Sequence, residues 1–327
     1  MTTADLLSAF RKLKVLVVGD VCLDRWCRYD PSLADPSRET GIPRIGVVAT
    51  EVTPGAAGTV ASNVAALGAS VSVLGAIGED GFGWELGRAL DARGIAHELL
   101  LRSSEIATFT YTKLLRADTG EEDLPRVDFV NTKPLPAAIG CELVRRLETA
   151  APQFDVILVC DQAETSQGGI VTQALRQALE RLRGGPLVWV DSRMRAELFR
   201  RAVVKPNREE AEAACLRALG RVDYSAFRRH IEAPILIVTH GGDGALLVDA
   251  NGETWVATRR VEHPVDICGA GDSFSAGAAL TLKVTGDAVA AVRFGNLVAS
   301  ITIMKKGTGT ASPEEVLAAE AAGYLPR

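Results

Sequence analysis

Six short runs of β-branched and aliphatic residues punctuate the chain: KVLVVG (14–19), SVSVLGAIG (70–78), DVILVC (155–160), PLVWVD (186–191), AVVKPN (202–207) and ILIVT (235–239). Helix-period segments are expected among them near 59–67, 82–93, 138–150, 168–183 and 208–218, with two more at 272–284 and 287–305. This alternation constrains the chain more than any other feature. A strand that returns parallel to its neighbour needs a crossover, usually a helix, and strands that are apolar on both faces need cover on both. The pattern therefore predicts an α/β fold, a mostly parallel sheet between two helical layers.

Two stretches interrupt the alternation. Residues 28–52 are rich in Pro, Arg and Ser, and 98–130 carries the strand-like TFTYTKLL followed by the polar loop RADTGEEDLPRVDF. Neither offers a crossover helix, so both are expected to form extra strands and loops, a small β-rich lid over one edge of the sheet. With no internal repeat and no low-complexity linker, residues 1–327 are expected to form one domain carrying that lid.

A chain of 327 residues with 47% hydrophobic content can bury a large core. Its 36 Lys+Arg stand against 41 Asp+Glu, a formal charge of -5 with no basic run, which argues against a nucleic-acid partner. No apolar run reaches the ~20 residues that span a bilayer, so no membrane partner is expected either. The start MTTADLLSAFRKLK lacks the apolar segment of a secretory signal, and the six cysteines form no CxxC pair. A reduced, cytoplasmic setting and small-molecule chemistry are the expectation.

In open α/β sheets ligands gather beyond the carboxyl ends of the strands. The stretch HPVDICGAGDSFSAGAALTLKV, 263–284, places Gly269, Ala270, Gly271 and then Asp272 at the start of an apolar helix. Glycine admits close approach to the backbone, and the unpaired N–H groups of a helix start suit an anion. GDVCLD leaves Asp20 and Asp24 at the rim of the first strand, where they either accept hydrogen bonds from sugar hydroxyls or cap a turn and meet solvent. TPGAAGTVASNVAALGA offers a turn from Gly55 to Gly58 and a helix with Asn63, although any tight strand-to-helix connection wants such glycines. KPNREEAEAA spaces Asn207 and Glu210 as NxxE, a pattern that serves equally as a capping box and as an outer-shell hold on hydrated Mg²⁺. In VTHGGDGALLV, Gly241, Gly242 and Gly244 make either a plain hairpin turn or a loop over which phosphates pass.

Other chemistries lose their warrant here. None of the four histidines stands at metal-ligand spacing from another, and there is no GxSxG elbow and no GxxxxGK[ST] loop. Phe274 occupies the place of the last glycine in GxGxxG, which leaves a nicotinamide-dependent dehydrogenase a distant third reading.

In order and content these pieces resemble the ribokinase-like, or PfkB, family of carbohydrate kinases, from KVLVVGD to GTGTASPEEV, with DICGAGDSFSAG the most specific element. The resemblance implies a ribokinase-like three-layer sandwich and the ATP- and Mg²⁺-dependent phosphorylation of a sugar or sugar-phosphate hydroxyl. It implies that Asp272 takes the hydroxyl proton and that Gly269, Ala270 and Gly271 form an anion hole for the transferring phosphoryl group. Asn207 and Glu210 are implied for Mg·ATP, the glutamate through water, with Thr239, Gly241, Gly242 and Gly244 as the nucleotide loop and Asn296 near adenine. Asp24 and the 55–58 turn fall on the sugar side, joined as candidate sugar contacts by Asp20 and Asn63. There Thr59 stands where an asparagine usually helps hold the sugar, and Ala56 replaces a glycine. A monovalent cation and a homodimer formed through the lid belong to the same set of expectations.

Within the family, GDVCLDRW, PGAAGTVASNVAALGA, TKLL with RVDF, and MKKGTGTASPEE are most similar to the kinase domain of the heptose-phosphate enzymes. No HxGH motif is present, so only the kinase half of the bifunctional members is expected. Arg44, Lys113 and Arg126, on or beside the lid, are candidates for holding a phosphate already on the substrate, or are solvated surface charge. A non-catalytic homologue that binds nucleotide and sugar is the alternative.

Overall fold

The computed structural model describes residues 1–165, 167–182 and 184–323; Arg183, the last residue of one expected helix, and the chain end at 324–327 lie outside these. The chain opens with α1 (Thr3–Phe10) and β1 (Lys14–Gly19), then runs directly into β2 (Val21–Asp30) and back along β3 (Gly46–Ala56). Next come α2 (Ala57–Ala66), β4 (Ser70–Leu74), β5 (Ala76–Gly78), α3 (Gly81–Asp91), β6 (Leu101–Ser103), β7 (Thr110–Arg116) and β8 (Val127–Phe129). A second stretch holds α4 (Ala137–Ala150), β9 (Val156–Asp161), α5 (Gln173–Arg181), β10 (Leu187–Ser192), β11 (Val203–Val204), α6 (Arg208–Leu219) and α7 (Tyr224–His230). It closes with β12 (Leu236–Thr239), β13 (Gly244–Asp249), β14 (Gly252–Ala257), α8 (Ala270–Thr285), α9 (Ala288–Thr302) and α10 (Pro313–Ala321).

The main sheet has the order β14-β13-β12-β11-β10-β9-β1-β4. It is parallel from β4 to β12 and ends in two antiparallel strands, β13 and β14. Successive residues of a strand face opposite sides, which divides the core in two. Val15 and Val17 of β1 pack with Phe10, Val64, Leu280 and Val298, under α1, α2, α8 and α9. Leu16 and Val18 pack with Leu143, Leu175, Cys215 and Phe227, under α4 to α7. The three layers expected from the alternation are therefore present.

The interruptions form a second sheet, ordered β3-β2-β7-β8, with β2 parallel to β7 and its other pairings antiparallel. It begins earlier than the expected 28–52, at Val21, and β3 carries it to Ala56, so Asp24 belongs to this sheet and not to the rim of β1. SVSVLGAIG divides into β4 in the main sheet and β5, which pairs with β6 in a separate two-stranded ribbon. The helix expected at 168–183 starts only at Gln173, because the preceding loop is tied down by Asp20, which accepts hydrogen bonds from the N–H groups of Gln162, Ala163 and Ile170. Helices α1, α7 and α10 were not among the expected elements. Among the described residues no helix is long and apolar enough to cross a membrane.

Candidate active site

Gly269 caps α8 in the left-handed conformation, φ 78°, which glycine alone adopts without strain. The first helical turn then offers its N–H groups to the cleft. Among the described residues those of Gly269, Gly271 and Asp272 meet no protein acceptor, whereas the N–H of Ala270 donates to the carbonyl of Ile267 at 3.2 Å. Of the three residues expected to form an anion hole, Ala270 has its N–H engaged within the turn, and Asp272 adds an open N–H beside those of Gly269 and Gly271. The Asp272 carboxylate accepts no hydrogen bond among the described residues. Burial and the neighbouring Asp191 lift its pKa to about 7, with Asp24 adding to the rise while Lys205 and Arg193 oppose it.

Two residues that the sequence reading did not single out complete this centre. Asp191, at the end of β10, forms a 2.7 Å ion pair with Lys205, which follows β11, and Lys205 is only 3% exposed. A Cβ on Gly271 would lie 3.2 Å from Lys205 Nζ, so the ammonium abuts the start of α8. Burial works to discharge Lys205, but Asp191 overrides it and raises its pKa, so the lysine stays cationic. The sequence signals were a carboxylate at a strand's carboxyl end and a lysine two residues before the NxxE.

On one side of the start of α8 lies a cleft of about 340 Å³. It brings together Thr239, Gly241, Gly242 and Gly244 with Gly271 and Asn296, residues drawn from three separated segments. The turn between β12 and β13 is a hairpin as well, so both readings of that glycine loop describe it. Asn296 Nδ2 is buried with no hydrogen-bond partner, an orphaned donor that fits a ring nitrogen of a nucleotide base. Thr258, Arg259 and Ile267, from the loop before α8, line the same cleft and were not expected as contacts.

Asn207 and Glu210 form a complete capping box at the start of α6: the N–H of Asn207 donates to Glu210 Oε2 at 2.8 Å, and that of Glu210 to Asn207 Oδ1 at 2.9 Å. Asn207 also bridges Thr239 of the nucleotide loop through backbone pairing. Burial, reinforced by Asp191, raises the Glu210 pKa; the Asn207 N–H, Lys205 and Arg193 pull it down. Its second oxygen, Oε1, accepts no hydrogen bond among the described residues. A free carboxylate oxygen at this place fits the hard-oxygen preference of Mg²⁺.

Several residues expected on the sugar side lie on the second sheet. Register sets Asp24 opposite both Thr53 of β3 and Tyr111 of β7, and Tyr111 opposite Asp128 of β8, so the four share one face. Two residues along, Trp26 stands opposite Glu51 and Lys113. Asp24 lies against Gly55: a Cβ there would be 2.6 Å from Asp24 Oδ2, so glycine is required for the carboxylate to sit where it does. Burial lifts the Asp24 pKa to about 6, and Lys113 and Arg126 draw it back. Thr53 Oγ1 is buried without a partner directly opposite, a hydroxyl the sequence reading passed over.

Other expected sugar contacts are turned elsewhere. Asp20 is 3% exposed and its oxygens serve three backbone N–H groups at 2.8 Å, so it shapes a loop and does not face the cleft. The Thr59 hydroxyl donates to the carbonyl of Pro54, and Asn63, fully buried, donates to the carbonyl of Thr59. Thr59 thus ties the turn to α2, while Asn63 Oδ1, like Thr53 Oγ1, is buried with no hydrogen-bond partner among the described residues. Ala56 takes φ 50°, ψ -117°, a strained conformation for an alanine. Lys113 sits 4.7 Å over the Trp26 ring and pairs with Glu122; Arg126 is bidentate to Asp128 and lies 4.9 Å over Tyr111. Arg44 forms a solvent-exposed pair with Asp35.

Comparison with known proteins agrees with this geometry. Residues 12–315 match the description "pfkB family carbohydrate kinase". The bifunctional protein HldE of Trichlorobacter lovleyi is 30% identical over 317 residues, 94% of this chain and 62% of that protein. HldE of Caulobacter vibrioides is 31% identical over 331 residues, 96% of this chain and 65% of that protein. The chain thus spans less than two thirds of the length of these relatives. Among solved structures, ribokinase of Thermotoga maritima superposes with a TM-score of 0.71 at 22% identity, covering 94% of this chain and 99% of that one. Phosphofructokinase-2 of Escherichia coli, solved with potassium, gives 0.72 at 21% identity, covering 96% and 100%. The fold is that of the ribokinase-like proteins, and the chain belongs to the pfkB family of carbohydrate kinases.

Proposed function

We propose that this protein transfers the terminal phosphoryl group of ATP to a hydroxyl of a sugar phosphate. One observation carries the reading: Asp272 presents a carboxylate without hydrogen bonds beside the free N–H groups of Gly269, Gly271 and its own, where the nucleotide cleft meets the lid. A pKa raised to about 7 suits a general base, which works best when poised near the operating pH. The sugar O–H gives its proton to Asp272 as its oxygen bonds to the γ-phosphorus. The bond from that phosphorus to the β,γ-bridging oxygen breaks, and ADP leaves with the electron pair. Charge on the transferring group is met by the N–H donors and by Lys205, which are in place beforehand, the condition under which such groups accelerate a reaction most.

Magnesium, when bound, neutralises phosphate charge, and Glu210 would hold it through water from the oxygen that the capping box leaves free. The potassium in the E. coli phosphofructokinase-2 structure supports adding a monovalent cation to the assay. The seven-carbon end of the substrate range is supported by the HldE relatives, and the phosphate by Lys113 and Arg126, whose charges both reach Asp24. A phosphate there would exchange with Glu122 and Asp128, the present partners of those cations. We place the reaction in the cytoplasm, in keeping with six free cysteines, and propose a single domain that dimerises through the open edge of β3.

The test is ADP release with Mg·ATP across ribose, hexose monophosphates and heptose monophosphates. Turnover of a heptose monophosphate well above the others is the expected result. Turnover confined to unphosphorylated sugars would remove the sugar-phosphate assignment, and none with any acceptor would remove the kinase reading.

A further inference from the structure

We propose that Arg193 is a phosphoryl-binding residue, paired with Glu164 at rest and turned onto the transferring group when both substrates are bound. The inference rests on the kinase reading above. It starts from a contrast within SRMR, the four residues that end β10 and begin its loop. Arg195 is fixed in the scaffold: its guanidinium donates to Asp161, to the carbonyl of Ala163 and to that of Thr165, and its side chain is 17% exposed. The Arg193 backbone is held as firmly, its N–H donating to the carbonyl of Asp161 at 3.0 Å. Its guanidinium, by contrast, has a single ionic partner among the described residues, Glu164, and the two side chains are 51% and 62% exposed. Exposed pairs of this kind contribute little to stability, so exchanging Glu164 for a phosphate is an easy step.

The location decides what the freed guanidinium would meet. Arg193 stands two residues past Asp191, whose partner Lys205 has its Nζ 3.2 Å from where a Cβ on Gly271 would lie, so the loop after β10 leaves the sheet beside the helix start that carries Asp272. Its charge holds down the pKa of both Asp272 and Glu210, in keeping with that placement. Lys205 meets the transferring group only from the Gly271 side, where its pair with Asp191 holds it, and leaves the opposite side to Arg193. A planar, bidentate donor with a weak resting partner is suited to charge that appears only during transfer.

The experiment measures kcat, KM and the affinity for Mg·ADP with and without fluoroaluminate, a mimic of the transferring group, using the best acceptor among the sugars and monophosphates named above. Arg193→Gln should lower kcat by roughly 10²-fold or more, leave the acceptor KM and the ADP affinity within about threefold, and abolish the gain in affinity that fluoroaluminate gives the parent. Arg193→Lys should recover part of both losses, and in Glu164→Gln kcat should not fall. An Arg193→Gln variant that keeps kcat and the fluoroaluminate complex overturns the proposal, as does an equal fall in kcat for Arg193→Gln and Glu164→Gln, which would make the pair a strut. If the parent itself neither turns over nor forms the fluoroaluminate complex, it is the kinase reading that fails.

Discussion

The carboxyl group of Asp272 loses its proton near pH 7 in the fold because burial disfavours its charge and Asp191 repels it, against the pull of Lys205 and Arg193. Activity and stability then run in opposite directions. As a base it must be unprotonated, so kcat/KM should rise with pH through about 7, and Asp272→Asn should be flat with pH and lower by at least ~10²-fold. In the unfolded chain the same group ionises near 3.8, so between that pH and about 7 the folded protein binds more protons and its stability declines as pH rises. The asparagine variant escapes this, and by calorimetry its Tm should exceed the parent's by a few degrees at pH ~8 and converge with it near pH ~4. A Tm difference independent of pH would mean that burial of charge is not its cause. Ala56 makes a second residue-scale case. Its φ of 50° with ψ -117° is glycine territory, so Ala56→Gly should raise Tm even though glycine is the more flexible residue, the relief of ~1–3 kcal/mol of strain exceeding the ~0.5–1 kcal/mol of added entropy loss. A lower Tm would show the conformation to be unstrained. The glycine turns at Gly269 and Gly241 and the helix start that carries Asp272 were legible in the sequence because backbone conformation is written in consecutive residues. Lys205 and Asp191 meet only when β10 and β11 lie side by side, and Asp20 lost its expected role to a loop more than 140 positions away.

At the scale of elements, α6 shows one pair of residues serving structure and chemistry together. The capping box uses Glu210 Oε2 and leaves Oε1 open. Glutamine reaches the N-cap N–H as glutamate does, so Glu210→Gln should leave the melting temperature nearly unchanged. Its charge is gone, however, so the Mg²⁺ concentration for half-maximal rate should rise, with excess Mg²⁺ restoring part of the activity. A Mg²⁺ titration that overlays the parent's would leave Glu210 a cap and nothing more. The strands of the main sheet were legible because each is a short apolar run between turn signals, whereas the lid strands were not bounded correctly. β2 reads VCLDRWCRYD, in which charges fall on both faces of a strand that is largely buried or half-buried, so period-2 alternation is blurred. Helix α10 begins with SPEE, a capping box with proline at its first position, and that signal was present but unused.

At the scale of the whole molecule, the β3 edge of the lid sheet lies open among the described residues. β3 lies at the margin of its sheet, and Val47 and Val48 on it are 46% and 55% exposed, preceded by Ile42 at 66% and Ile45 at 48%. Open edges bearing apolar side chains invite another strand, and natural chains that stay monomeric blunt them with charge. The segment from Ile42 to Val48 has only Arg44, which is paired with Asp35. A second copy is the simplest cover, because a two-fold axis lets the same edge meet itself. Sedimentation at micromolar concentration should therefore give the mass of two chains, and Val48→Lys should shift it to one while circular dichroism stays that of the folded protein. The same lid carries Asp24, Thr53 and Tyr111, whereas the nucleotide cleft is formed by the β12–β13 turn, α8, α9 and the loop before α8. Loosening the lid should therefore raise the acceptor KM and leave ADP affinity as it was. A parent that sediments as a single chain with full activity would sink the dimer, and a Val48→Lys monomer with unchanged acceptor KM would show that the lid holds its sugar face without a partner.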